Sequence, residues 1–284
     1  MPIASVDDFF AAQKQVINIF RTAANKPNAI LSSSINPQTG AGLSWGHPGL
    51  GVVAHGSSLR VTGEVPTHLT QGFPRLDAFP VGAKGYILHV ESASAAAGHA
   101  ALFDLLFRCG TFAQNTLYNL NPVQPSFAAR LPGGDYLDTG IWVEQAAPWL
   151  TSHSGSPATC DITVGYLNES GVAKSTGAQP WPYTTAMTAG GLWNIPLAAG
   201  DRGVSQITSV NSSTNCTNGL EFNVYVLRRI LLLRQGQFLS RADLFMTGLP
   251  EVHQQSALLF APGPDAGNYG AGYGSEIILT IGSY

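Results

Sequence analysis

Charge is what this sequence has least of. Only 11% of its 284 residues are Asp, Glu, Lys or Arg, where an ordinary soluble chain carries about 25%. With 44% hydrophobic residues the chain buries a core, which excludes an acidic or basic disordered tail. Fourteen basic and seventeen acidic residues give a formal charge of −3. A nucleic-acid binder shows a clustered positive surplus, and with none here nucleic acid is not an expected partner. No run reaches the roughly 18 consecutive apolar residues of a membrane-spanning helix, so no membrane partner is expected either. Residues 1–8 lack the basic region and apolar core of a signal peptide, and the expectation is synthesis in the cytoplasm as a soluble protein.

Cysteine is equally sparse. Cys109, Cys160 and Cys216 match no metal or redox spacing and leave an odd thiol in any disulfide scheme, so they are expected as buried, reduced thiols that act as small hydrophobes. Catalytic signatures are missing as well. There is no G-x-S-x-G elbow, and His153-Ser154-Gly155-Ser156 has the composition of a polar turn. The seven histidines contain no H-E-x-x-H, although His47, His55 and His68 share one loop-rich region where a metal is conceivable. Gly200-Asp201-Arg202-Gly203 lacks the lysine and following helix of a phosphate loop. No cofactor and no enzymatic activity are expected.

What charge there is falls unevenly. The stretches between Lys26 and Arg60, Arg108 and Arg130, Lys174 and Asp201, and Arg202 and Glu221 contain no Asp, Glu, Lys or Arg. A protein living alone needs a charged skin, whereas a subunit of an assembly covers neutral surface with its neighbours. The pattern favours a homo-oligomer or a larger assembly.

At the N-terminus Ser5 and Asp8 resemble a capping box. After them Val6, Phe9, Phe10, Val16, Ile17 and Phe20 fall on one stripe if helical, and Asn25-Lys26-Pro27 would stop the helix. The spacing predicts an amphipathic helix of about five turns over residues 1–26. Phe9, Phe10, Ile17 and Phe20 are candidate contacts with another subunit, set against the plainer option of packing within the chain. Residues 27–84 are punctuated by Gly, Pro, Ser and Thr and predict a loop-rich β region.

From residue 85 to 284 short strands dominate. Ile162 to Tyr166 alternates strictly, Asn168-Glu169-Ser170-Gly171 supplies a turn, and Val172, Lys174 and Thr176 resume the alternation, which predicts a hairpin. Glu221 to Val226 alternates likewise. Ala257 to Phe260 and Glu276 to Ile281 bracket a Pro/Gly/Asn-rich loop and predict a second hairpin. The expected fold is mainly β, an antiparallel β-sandwich of jelly-roll type preceded by the helix and the loop-rich segment.

Segments 102–110 (LFDLLFRCG), 129–136 (ARLPGGDY), 162–176 and 197–210 together resemble structural proteins of tailed-bacteriophage virions. The likeness covers about the last two thirds of the chain and lies in pattern and turn order. It implies a β-rich virion component, capsid-associated or decorating, with a tail or neck component as the nearest rival. Its partners would be other virion proteins, and its location the virion. Arg228, Arg229 and Arg234 bracket the apolar run 230–233. They read either as solvated strand ends or as anchors around an interface patch.

A different class remains open. Trp45, Trp149 and Trp181 stand beside Gly or Pro and could form a glycan platform, with Asp135, Asp138 or Glu144 as acids for carbohydrate cleavage. Trp142 and Trp193 lie inside apolar runs and are expected in the core.

Overall fold

The alternating runs do form strands. The computed structural model describes residues 6–21, 59–70, 73–94, 98–113, 115–145, 161–180, 192–213, 221–235, 238–243, 249–264 and 275–284. In chain order the strands are β1 (Gln13–Arg21), β2 (Gly85–Ser94), β3 (Gly98–Ala113), β4 (Leu117–Asn119) and β5 (Thr139–Gln145). Next come β6 (Asp161–Asn168), β7 (Ala173–Ser175), β8 (Gln179–Pro180), β9 (Leu192–Ile195) and β10 (Val204–Ser212). The last five are β11 (Glu221–Gln235), β12 (Phe238–Asp243), β13 (Glu251–Val252), β14 (Leu258–Pro264) and β15 (Ser275–Ser283). Two short helices, α1 (Val6–Ala11) and α2 (Leu59–Thr62), and two 3-10 turns, Ala128–Arg130 and Pro132–Gly134, complete the described elements.

All described strand pairs are antiparallel, and they make three sheets. A central sheet has the order β14-β3-β11-β5-β9, a cap sheet β4-β10-β6-β7 with β8 also on β6, and a flank sheet β1-β15-β2-β12 with β13 also on β2. The longest strands, β3 and β11, pair from Glu221↔Ala113 to Gln235↔Gly98 and form the middle of the central sheet.

Alternation along β11 and β5 separates two faces. Val224 and Val226 with Ile141 and Val143 join Ile162, Val164 and Tyr166 of β6 and Val204, Ile207 and Val210 of β10 in one apolar cluster, so the cap sheet covers one end of this inner face. Leu102, Leu233, Leu258 and Phe260 join Ile87, Val90, Ile277, Leu279 and Ile281 in a second cluster beneath the flank sheet. The opposite, outer face carries Phe103, Leu105, Trp142, Tyr225, Leu227 and Leu259, with Phe73 packed among them. Phe103 and Trp142 meet edge to face at 5.0 Å.

The predicted hairpin over residues 162–176 forms as β6 and β7, with Gly165↔Ser175 and Leu167↔Ala173 in register. Asn168 Oδ1 accepts the Ser170 and Val172 N–H groups at 3.1 and 2.9 Å, and Gly171 takes the positive φ of 75° that the turn requires.

Two expectations are corrected. The N-terminal helix spans only Val6–Ala11, and Gln13–Arg21 continues as a strand paired with β15 at nine positions, from Gln13↔Ser283 to Arg21↔Ser275. Val16, Ile17 and Ile19 are β-branched and favour an extended chain, and pairing with β15 satisfies their backbone at once. The hairpin expected from residues 257–260 and 276–281 does not form either. β14 pairs with β3 in the central sheet, while β15 inserts between β1 and β2 in the flank sheet. Both runs are apolar enough for burial, and the pairing edge rather than the intervening loop decides their sheet.

Candidate functional site

The inner face of the central sheet is apolar at both ends and charged between them. One cross-strand row, Leu258–Asp104–Arg228–Thr139, runs across β14, β3, β11 and β5 and lies where the cap-side and flank-side clusters meet. Asp104 is fully buried, and Arg130 and Arg228 are 5% and 7% exposed. Arg130, delivered by the first 3-10 turn, donates Nη2 to Asp104 Oδ1 and to the Leu105 carbonyl, and Nη1 to the Pro66 carbonyl. Asp104 Oδ1 also accepts the Ala257 N–H at 3.0 Å, and its Oδ2 accepts the Ser256 hydroxyl at 2.8 Å.

Arg228 donates Nη2 to the Glu251 carbonyl at 2.9 Å. Burial pulls its pKa below the ordinary arginine value, opposed by Asp104 and Glu251. Thr139 Oγ1 closes the row by accepting the Val204 N–H at 2.7 Å. The seam thus holds two buried guanidiniums around one buried carboxylate whose oxygens are already engaged. That arrangement fixes sheets to one another; with Ser256 donating to Asp104 and fully buried, it offers no accessible nucleophile.

A second polar group lies on the outer face. Glu144, buried, accepts the Asn223 amide at 2.9 Å and the Tyr225 hydroxyl. Burial, then the Glu144 charge, raises the Tyr225 pKa well above the usual phenol value. Next to Tyr225 in register stands Arg108, whose guanidinium pairs with Glu64. The two segments also exchange backbone bonds, Glu64 N–H to Arg108 O and Arg108 N–H to Glu64 O, both 2.9 Å.

The residues singled out in the sequence are scattered by this fold. Asp135 and Asp138 are exposed at the start of β5, where Asp135 Oδ1 accepts the Leu137 N–H and Asp138 has a φ of 60°. Glu144 lies six residues along the strand, about 20 Å away at strand rise. Glu144 therefore does not converge with Asp135 or Asp138 as a hydrolytic pair. Trp142 and Trp193 are buried as expected, and Trp45, Trp149 and Trp181 lie outside the described residues.

Ile17 is buried within the flank-side cluster of its own chain. The backbone at Phe9, Phe10, Phe20 and Arg234 is described, but their side chains are not. Arg228 is inside the seam and Arg229 is exposed. Among the possible metal ligands, His47 and His55 lie outside the described residues. His68 is buried and accepts the Leu76 N–H on Nδ1 at 2.8 Å. Among the described residues no group of three His, Cys, Asp or Glu is arranged to hold a metal, and no helix is long and apolar enough to cross a membrane. Cys109 is buried with a free thiol, and burial raises its pKa; Cys160 and Cys216 lie outside the described residues.

Asp104 and Arg130 escaped the sequence reading as a pair. The available signal was a lone Asp in the apolar run 102–107, because a charge at that place needs a buried partner. Comparison with known proteins finds no matching family model, no matching curated protein and no matching solved structure.

Proposed function

We propose that this chain is a structural protein of a tailed-bacteriophage virion, a capsid-associated or decorating subunit that works through protein contacts and not as an enzyme. In this reading its strands form a jelly-roll-like sandwich, its partners are other virion proteins and further copies of itself, and it resides in the virion after synthesis in the host cytoplasm.

The observation that carries the reading is where the scarce charge goes. A chain with only 11% charged residues places, among its described residues, Asp104, Arg108, Arg130, Glu144 and Arg228 in buried internal polar groups. Meanwhile Val16, Leu117, Val123 and Val172 are each more than half exposed. A surface so poor in charge is suited to coverage by neighbours. The β-rich fold and the resemblance of segments 102–110, 129–136 and 162–176 agree with it.

Mass spectrometry of purified particles with copy-number estimation tests the proposal. Hundreds of copies per particle are expected for a decorating subunit. A dozen or fewer would move the assignment to a neck or baseplate component, and absence from particles would overturn it.

A further inference from the structure

The segment before β2 is tied down at nearly every turn. Residues 64–70 and 73–80 form a strap that begins at the Glu64–Arg108 bridge and gives the Pro66 carbonyl to Arg130. It then places Phe73 in the outer-face cluster and Leu76 in the flank-side cluster. Farther on, the Asp77 carbonyl accepts the Gln254 amide at 3.1 Å, Asp77 N–H donates to Gln15 at 2.8 Å, and Phe79 N–H donates to Gln254. The strap is thereby fastened to the turn His253–Ser256, which itself carries the Ser256 hydroxyl to Asp104.

One histidine sits in each of these two pieces, and both use the same ring atom in the same way. His68 Nδ1 accepts the Leu76 N–H at 2.8 Å, and His253 Nδ1 accepts the Gln255 N–H at 3.1 Å. A ring nitrogen that accepts a hydrogen bond carries no proton, so both bonds require neutral imidazole.

The charges around His68 are cationic, and those around His253 are balanced, two arginines against two carboxylates. His68 is faced by Arg75 of the strap and Arg130 of the 3-10 turn. His253 is faced by Arg130, by Asp104 of β3, by Glu251 of β13 and by Arg228 of β11. For both rings burial is the largest influence and Arg75 or Arg130 the next, and both pKa values lie below the ordinary 6.5.

We propose that the strap is an acid-released cover: protonation of His68 and His253 breaks both Nδ1 bonds, sets two new cations beside Arg130, and frees the strap to uncover Phe73 and Leu76. Each ring takes one proton from solvent, and only hydrogen bonds are broken. In the released strap a histidine titrates near 6.5, above its value in the closed form. The open state therefore binds more protons at low pH, and the closed form keeps its full advantage above 6.5 and loses it as pH falls through and below that value. Each unit of pKa difference per histidine multiplies the opening constant about tenfold once both states have titrated.

Hydrogen exchange by mass spectrometry on the full chain tests this at about pH 7.5 and about pH 5, either side of the histidine range. After correction for the intrinsic exchange rate, the Leu76 and Gln255 amides and their neighbours in the strap should open more at the lower pH, by up to about tenfold for each unit by which the two pKa values together lie below 6.5, with the β3 and β11 amides unchanged. The double variant His68→Asn, His253→Asn places a non-titrating acceptor oxygen near each Nδ1 and should abolish the difference. If the double variant does not fold, each single variant should remove part of it. Strap opening that is independent of pH, or Asn variants that respond like the parent chain, would overturn the proposal.

Discussion

Along the inner face of the central sheet, the rows under the cap sheet and the row at the seam solve opposite problems. Under the cap sheet, Val224, Val226, Ile141 and Val143 are fully buried among apolar neighbours, and every ångström squared removed from water is favourable, by about 25 cal/mol. At the seam, Asp104, Arg130 and Arg228 are buried instead, and desolvation there is a cost that only pairing offsets. The first region tolerates small changes of shape; the second has partners that are exact in chemistry. Arg130, bonded at once to Asp104, Leu105 and Pro66, adds directional contacts that fix where the turn, the strap and β3 meet.

Removing one partner at the seam should have the largest effect. Arg130→Met leaves the Asp104 carboxylate buried without its hydrogen-bonded cation and is expected to cost about 3–5 kcal/mol in urea unfolding. The same change in an Asp104→Asn background should cost less, because no buried carboxylate is then left without Arg130. Equal costs in the two backgrounds would mean that Arg130 acts through packing and that the seam does not differ in kind from the cap-side rows.

A smaller loss sharpens the other side. Ile207→Val removes one buried methylene from the cap-side cluster and is expected to cost about 0.5–1.5 kcal/mol by the same measurement. The smallest change belongs to charge at the surface. Lys84 pairs with Glu251 at 3.0 Å with half of its side chain exposed, so Lys84→Met should stay within about 1 kcal/mol of the parent, and the shift should shrink further in salt.

Much of the strand content was legible. The alternation of residues 162–166 and 221–226, the Asn168–Gly171 turn and the apolar runs at 102–107 and 141–143 all sit in strands or turns where the pattern put them. The candidate site was far less so. Arg228 read as a solvated strand end or an interface anchor, yet β11 continues for 15 residues through the central sheet, which carries Arg228 inward opposite Asp104. Glu144 read as a possible acid beside Asp135 and Asp138, but it follows Trp142 along the outer face, and its donors Asn223 and Tyr225 come from a strand about eighty residues away. Ile17 read as part of a helical stripe, and its actual burial depends on β15 at the other end of the chain.

By itself the sequence determined the extended conformation of most segments and which side chains share a face, because a period of two and the turn residues are local properties of the chain. Only the tertiary structure decided which strands pair, that β14 and β15 belong to different sheets, and that Asp104 meets Arg130 and Arg228. Those choices depend on the edges and registers that segments far apart in sequence offer one another, and on the cost of leaving a buried charge unpaired, neither of which is written into any short stretch of residues.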